Sequence, residues 1–514
     1  MRRSFLPLAC LSFALALSLP TAGFLSCQEK TATLEMYLDL ESVSSPRISP
    51  DGSEILYTRG GIDRLNDRRY SEIWIMDSDG GRKRFLVDGS DPVWSPDGTR
   101  IAYTASGEPR GSQIFVRWMD AEGATSQVTR VERAPSGLGW SPDGSRIAFT
   151  MAVEDAERWT VSLPPRPEGA QWTEGPKIVD RLSYRRDRRG FVDTSHTHIF
   201  LIPAEGGTPR QLTDGEWDHS GPRWAPDGSE IYFSSLREEE ADWMWRESEI
   251  YSVSLADGAI RTLTRRRGPD SGPVPSPDGR LIAYQGQDWS TDTYVENGLY
   301  VMQADGTEPR RIAGELGRSL GNVTWAPDGS GLYCRARMKG ARNVWFAPLE
   351  GEPRAVTEGN HMLTFTSVDD SGNVAAVMSS YHQPGDVWTF NLRAPSRMQQ
   401  LTRVNDDVLS GVTLGEVEEI WYESTDGLEI QGWIVKPPDF DPSREYPLIL
   451  SIHGGPHGMY GVGFSHRWQA QAAEGYVVLY TNPRGSAGYG SAFGNEIDNA
   501  YPGKDFDDLM NGVD

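Results

Sequence analysis

Hydrophobic and polar positions alternate along most of this chain, and the alternation is broken at regular intervals by the same tight turn. The stretch "PVWSPDGTRIAYTA", beginning at Pro92, shows the unit, a Pro-Asp-Gly turn followed by an alternating strand. Related copies begin at Pro46, Leu138, Pro222, Pro273 and Val323, and a worn one, "SVDDSGNVAAVMSS", begins at Ser367. Proline fixes φ, the aspartate side chain bonds its own backbone, and glycine takes the positive φ that closes the turn. The turn glycines are Gly52, Gly98, Gly144, Gly228, Gly279, Gly329 and Gly372, and most intervals are 43 to 51 residues. That is the blade period of a β-propeller. A second type of strand follows in each unit, as in "EIWIMDSDGG" and "NVWFAPLEG", and several units end in a "QLT" or "TLT" strand. Four strands per unit and seven units predict an all-β seven-bladed β-propeller over residues 28–411.

The interval from Gly144 to Gly228 is 84 residues, nearly two blades, and its Pro- and Arg-rich excess reads as an inserted excursion. His196 and His198 alternate on the strand that closes it. Such a pair could ligate a metal, but no carboxylate or cysteine pattern joins it, so a structural role is the expectation.

Beyond residue 412 the pattern changes. "GEVEEIWYESTDGLEIQGWIVKPPDF" reads as two strands around an Asp-Gly turn. "YPLILSI" and "YVVLYTN" are short continuous apolar runs, expected as strands buried on both faces. "SHRWQAQAAEG" and "KDFDDLMNGVD" read as helices. Strand, helix, strand, helix predicts an α/β sheet over 412–514. The first apolar run ends in His453-Gly454-Gly455-Pro456, at the strand end where α/β folds place their sites. In α/β-hydrolases the loop after an early central strand supplies one oxyanion-hole N–H, and this tetrapeptide fits that description. A purely structural strand-end turn is the competing reading.

Composition narrows the class. A chain of 514 residues is long for one core, and 38% hydrophobic content with 17 Trp and 55 Gly suits a folded, turn-rich protein. A formal net charge of −23 argues against a nucleic-acid partner. There is no HExxH, no CxxC and no phosphate-binding glycine loop, so no metal or cofactor is expected. Residues 1–27 have two arginines, an apolar run from Phe5 to Leu19 and then small residues, the layout of a secretory signal peptide. "FLSC", ending at Cys27, resembles a bacterial lipoprotein cleavage site, with Phe24 where leucine is usual. The expected location is therefore exported: a periplasmic or cell-envelope lipoprotein anchored through Cys27, or a secreted protein. Cys10 lies in the signal, and Cys334, in a strand-like stretch, reads as a buried inert thiol.

The joint pattern of "LEMYLDLESVSSPRISPDG", the "SPDG"-type repeats, "STDGLEIQGWIVKP", "SIHGGPHGMYG" and "NPRGSAGYG" resembles the prolyl oligopeptidase family of serine peptidases, in the branch with acylaminoacyl peptidases and bacterial dipeptidyl peptidases. The resemblance implies a propeller capping an α/β-hydrolase that cleaves short peptides through a Ser-Asp-His triad. It implies an oxyanion N–H on Gly455, and some relatives carry a tyrosine donor where His453 stands. Arg484, Gly485 and Gly488 match the family's "RGS-x-GYG" loop and are expected to be architectural. The acidic stretch Arg237 to Glu249 could receive a substrate's free amino terminus, as propeller glutamates do in some dipeptidyl peptidases, although a solvated loop is the simpler expectation. The nucleophile elbow, G-x-S-x-G, should follow the next helix and strand, and Asp514 comes first. Ser465, Ser486 and Ser491 each lack one or both flanking glycines, and His453, His457 and His466 precede the elbow, so none is expected to be the nucleophile or the general base. These 514 residues are thus expected to hold half an oxyanion hole, no triad and no activity of their own. A non-catalytic periplasmic propeller that binds ligands and a propeller-capped esterase are the alternatives.

Overall fold

The computed structural model of the protein describes residues 30–155, 164–173, 178–179, 181–188, 190–192 and 194–514. The signal-like segment and Cys27 lie outside them. The sheets are mostly antiparallel and built of strands consecutive in sequence. The first contains Ser42–Ile48, Glu54–Asp63, Arg68–Asp77 and Arg84–Asp88 in that order. Four more four-stranded sheets begin at Ser90, Ser136, His219 and Asp270. The strands from Leu320–Trp325 through Ala394–Gln400 form an eight-stranded sheet, whose two groups of four meet through one parallel pair, Arg342 with Met362. The mostly-β, propeller-like character expected from the repeats is what the chain adopts.

The repeated turn explains the regularity. Ser95 Oγ donates to Asp97 Oδ1 at 2.6 Å, Thr99 N donates to the same oxygen at 3.1 Å, and Gly98 at φ +70° sends its N–H to Ser95 O at 2.9 Å. Ser49 and Asp51, Ser141 and Asp143, and Ser276 and Asp278 repeat the side-chain bond at 2.6–2.7 Å. These donors hold the exposed Asp143 carboxyl down at about 2. Several turns also pack on their predecessor. A Cβ on Gly98 would meet Pro50 at 3.4 Å, and one on Gly279 would meet Pro226 at 3.6 Å.

Neighbouring sheets are joined through the tryptophan before the turn. The indole N–H of Trp94, Trp140, Trp224 and Trp325 donates to the carbonyl of Arg47, Val93, Gly139 and Val274 on the preceding sheet, at 2.9–3.1 Å. First and last sheets meet through other contacts. Ile48 N donates to Ser367 Oγ at 3.1 Å, Thr366 Oγ1 donates to Pro46 O, and Val43, Ile55 and Tyr57 share a core with Ala375, Val387 and Leu401. The circle is closed by packing, because no strand of the first sheet pairs with the last.

The long interval has a simple cause. Strands Arg146–Glu154 and Ser195–Pro203 pair along their full length, so the excursion is an insertion at the tip of one hairpin. Its described residues include a small hairpin of Arg185–Arg186 with Gly190–Phe191.

The C-terminal sheet has the order Val417–Glu423, Glu429–Val435, Val477–Asn482, Leu448–Ser451. Only the last pair is parallel. Helices His466–Ala473 and Lys504–Val513 accompany it. Strand Val477–Asn482 is buried as its apolar run predicts. Strand Leu448–Ser451 is not, because it is the sheet edge: Leu448 is 41% exposed. The sheet is seated on the repeats. Trp433, fully buried, stacks on Tyr480 and donates to Tyr381 OH at 2.8 Å. Val462 N donates to Gly340 O at 3.0 Å, and strand Lys30–Thr31 pairs with Val412–Thr413.

Candidate active site

The glycine loop leaves the end of strand Leu448–Ser451 on the side of the repeats. Gly455 has φ +89°, which L side chains rarely adopt, and no described group accepts its N–H. Gly454, Gly455 and Pro456 are exposed. The rest of the loop is held from behind. Tyr460 N donates to Asn482 Oδ1 at 2.8 Å, and Asn482 Nδ2 donates to Tyr460 O at 3.0 Å and to Tyr489 OH at 2.8 Å. Tyr489 in turn donates to Gln431 Oε1. Ala487 N donates to Gly458 O at 3.0 Å, and His457 Nδ1 donates to Gly485 O at 2.8 Å. The "RGSAGYG" segment is thus the backing of the "HGGPHG" loop. From the other side the ring of Tyr294 lies 4.9 Å from that of His457.

His453 Nε2 lies 3.0 Å from Ser486 Oγ, and that hydroxyl gives its proton to Pro483 O at 2.6 Å. The imidazole is therefore the donor, protonated on Nε2, and its buried Nδ1 has no partner. Burial holds His453 below its ordinary pKa, which suits the neutral ring. Ser486 is fully buried. Ser465 Oγ accepts from Trp468 N at the start of a helix, and Ser491 Oγ accepts from Glu296 N at 3.0 Å. His466 Nε2 donates to Thr33 O at 2.8 Å. Each of these serines and histidines has a local bonding role.

One G-x-S-x-G match escaped the sequence reading, Gly317-Arg318-Ser319-Leu320-Gly321. It lies among the repeats and runs into strand Leu320–Trp325, without the strand–turn–helix setting that presents a nucleophile. Ser319 donates to Glu296 Oε2 through both N, at 2.6 Å, and Oγ, and its Oγ accepts from Asn297 N at 2.9 Å. The match is structural.

Arg484 is the hub of the region and only 3% exposed. Its Nε and Nη2 donate to Asp508 at 2.9 and 2.8 Å, and Nη1 and Nη2 donate to Asp426 at 3.0 and 2.9 Å. Lys504 Nζ adds a bond to Asp426 at 2.8 Å. Asp426 is held well below the usual carboxylate range by these two cations. Asp508 is fully buried and also accepts from Ser424 Oγ. One guanidinium therefore ties the Asp426 turn, the loop backing and helix Lys504–Val513 together.

The acidic stretch borders a cavity of about 550 Å³ whose lining includes Arg181, His196, Trp217, Glu238, Glu240 and Trp243. His196 Nδ1 is 2.6 Å from Asp155 Oδ1, which also receives Arg181 on its other oxygen at 2.8 Å. His198 is buried beside His219, which burial pulls down to about 4 and which accepts from Arg237 Nη1 at 2.7 Å. Among the described residues no group of three or more His, Cys, Asp or Glu could hold a metal ion. Cys334 is buried, and burial pushes its thiol up.

Residues 462–514 match the model of the prolyl oligopeptidase family, and residues 153–293 match that of the dipeptidyl peptidase IV N-terminal region. The uncharacterized peptidase YuxL of Bacillus subtilis (strain 168) is 30% identical over 95% of this chain and 76% of that protein. Dipeptidyl-peptidase 5 of Porphyromonas gingivalis is 28% identical over 96% of this chain and 74% of that protein. Among solved structures, the acylaminoacyl peptidase of Pyrococcus horikoshii superposes with a TM-score of 0.77 at 22% identity, covering 94% of this chain and 72% of that one. With the family model matching residues 462–514 and a peptidase relative 30% identical over 95% of this sequence, the chain belongs to the prolyl oligopeptidase family of serine peptidases.

Proposed function

We propose that the protein is a serine peptidase that hydrolyses short peptides through an acyl-enzyme, with the repeats acting as a seven-bladed β-propeller over 28–411 and the region from 412 as the first part of an α/β-hydrolase domain. The observation that carries this reading is Gly455: an exposed N–H with no acceptor, at positive φ, held by a rigid backing at a strand end that faces the repeats. Such an N–H stabilises the oxyanion of a tetrahedral intermediate, and losing one such donor costs roughly 10²- to 10³-fold in kcat. The relatives named as dipeptidyl and acylaminoacyl peptidases support short peptides as the substrate class.

In this reading the triad is not among residues 1–514. Ser486 and Ser319 have their hydroxyls engaged by Pro483 and Glu296, and Ser465 and Ser491 cap or accept from backbone N–H groups. Residues 1–27 serve as an export signal and Cys27 as a lipid attachment point, which makes the enzyme a cell-envelope or secreted one.

The test begins with the coding sequence after codon 514. A following G-x-S-x-G strand–turn–helix, and cleavage of acyl- or dipeptidyl-anilides by its product that a serine-directed phosphonate abolishes, is the expected result. Turnover of p-nitrophenyl esters alone would make it an esterase, and a stop codon with peptide binding but no turnover would make it a binding module.

A further inference from the structure

We propose that Arg335, Arg337 and Arg342 form a binding site for a carboxylate of the peptide substrate and select which peptides reach the glycine loop. The proposal rests on the peptidase reading and adds the specificity of that site.

The chain has 73 acidic and 50 basic residues, so an arginine near the surface readily finds a carboxylate. Arg82 pairs with Asp77 at 2.6 Å, Arg261 with Glu230 at 2.9 Å, and Arg484 with two aspartates. Arginines without acids bond carbonyls, as Arg246 does to Asp292 O at 2.9 Å. Arg335, Arg337 and Arg342 do neither. Among the described residues none of the three guanidiniums has an ion-pair partner or donates a hydrogen bond. Arg335 and Arg342 are half-buried, and the Nε of each is shut off from solvent without an acceptor.

Their backbone forces them together. Arg337 stands directly opposite Arg342 in the antiparallel pair of Gly331–Met338 with Ala341–Pro348, and Arg335 is two residues along on the same face. Directly opposed like charges destabilise a sheet. Three guanidiniums within two strand positions span roughly 7 Å, a patch that fits one carboxylate held by more than one planar fork. Burial and mutual repulsion lower Arg342 to about 10, so the site is held in a costly state that an anion would relieve.

The place is that of a substrate group. The turn joining the two strands touches the glycine-loop backing, with Lys339 N donating to Gly488 O at 3.2 Å and Val462 N to Gly340 O at 3.0 Å. Arg337 and Arg318 act electrostatically on Tyr294, whose ring lies on His457, two residues from Gly455. Glu296, which acts on the same Tyr294, has its Oε2 taken by Ser319. A carboxylate from a peptide can come from its C-terminus or from an Asp or Glu side chain.

Calorimetric titration of the 514-residue protein with three N-acetylated tetrapeptides separates the cases: a neutral peptide acid, its C-terminal amide, and an amide containing one Glu. The expected result is binding of a carboxylate-bearing peptide at least about tenfold tighter than the neutral amide, falling to within about threefold in Arg337→Gln and Arg342→Gln. Preference for the peptide acid alone marks the C-terminus as the ligand, and preference for the Glu amide marks a side chain. Equal binding of all three overturns the arginine site while leaving the peptidase reading in place. No binding by any of them also overturns the site, and the peptidase reading is then judged by turnover alone. Thermal melting supplies the second readout: Arg342→Met should melt no lower than the parent, because it removes repulsion. A clear fall in Tm with selectivity unchanged assigns the cluster to the fold and overturns the proposal.

Discussion

Ser486 Oγ accepts from His453 Nε2 at 3.0 Å and passes its own proton to Pro483 O at 2.6 Å, so the one buried Ser–His pair of the C-terminal region runs opposite to a catalytic pair. A catalytic histidine takes the serine's proton, and this one donates its own. A fluorophosphonate should therefore leave the 514-residue protein at its unmodified mass. A mass shift mapped to Ser486 would contradict this geometry.

Ser486→Ala removes the acceptor of a buried imidazole N–H. The expected loss is about 1–3 kcal/mol of stability, read from urea unfolding. An unchanged midpoint would mean that His453 finds water or another acceptor.

Arg484→Met leaves Asp508 charged and buried, and should cost about 3–5 kcal/mol. Asp426→Ala acts on the same network but at a side chain 32% exposed, where Lys504 also becomes free, so a clearly smaller loss is expected. The ordering of these two variants in denaturant checks the hub role.

The pH dependence has a definite sign at Glu249. Burial, with Asp270 and Glu247 nearby, raises its carboxyl to about 7, above the value near 4.3 expected for an unfolded chain. The folded protein then binds the proton more tightly than the unfolded one. The stabilisation is complete below the unfolded pKa and is lost as pH rises through about 7. Thr264 Oγ1 donates to Glu249 and accepts from Ile250 N, and Gln113 makes the same contact with Thr129 two sheets earlier. Glu249→Gln should therefore keep the bond, raise Tm at pH 8 and flatten the decline between pH 4 and 8. An unaltered Tm-against-pH curve would remove Glu249 from this account.

Trp94→Phe keeps the ring but deletes the N–H bond to Arg47 O. About 0.5–1.5 kcal/mol is expected, with the sheets still assembled by circular dichroism.

What was legible in the chain is what its neighbours in sequence decide. The Ser95–Asp97–Gly98 turn closes within five residues through a side-chain bond and one positive φ, so each copy announces itself, and the strands on either side inherit the period of two. His453-Gly454-Gly455-Pro456 was legible for the same reason, because a strand end without side chains is a local anomaly. Sequence could not say that Trp94 would bond a carbonyl 47 residues away, since that bond exists only when two sheets stand side by side. It misjudged Leu448–Ser451, whose apolar run predicts burial on both faces while its position at the sheet edge leaves Leu448 exposed: burial depends on which strands lie alongside, and hydropathy does not encode that. It passed over Gly317–Gly321, and the pattern alone could not have separated it from a nucleophile elbow, because the elbow is a strand–turn–helix geometry and here the chain runs into a strand held by Glu296. Arg337 and Arg342 are five residues apart on paper. Only the hairpin turn at Lys339-Gly340, pressed against the C-terminal sheet, brings the two charges face to face beside the glycine loop.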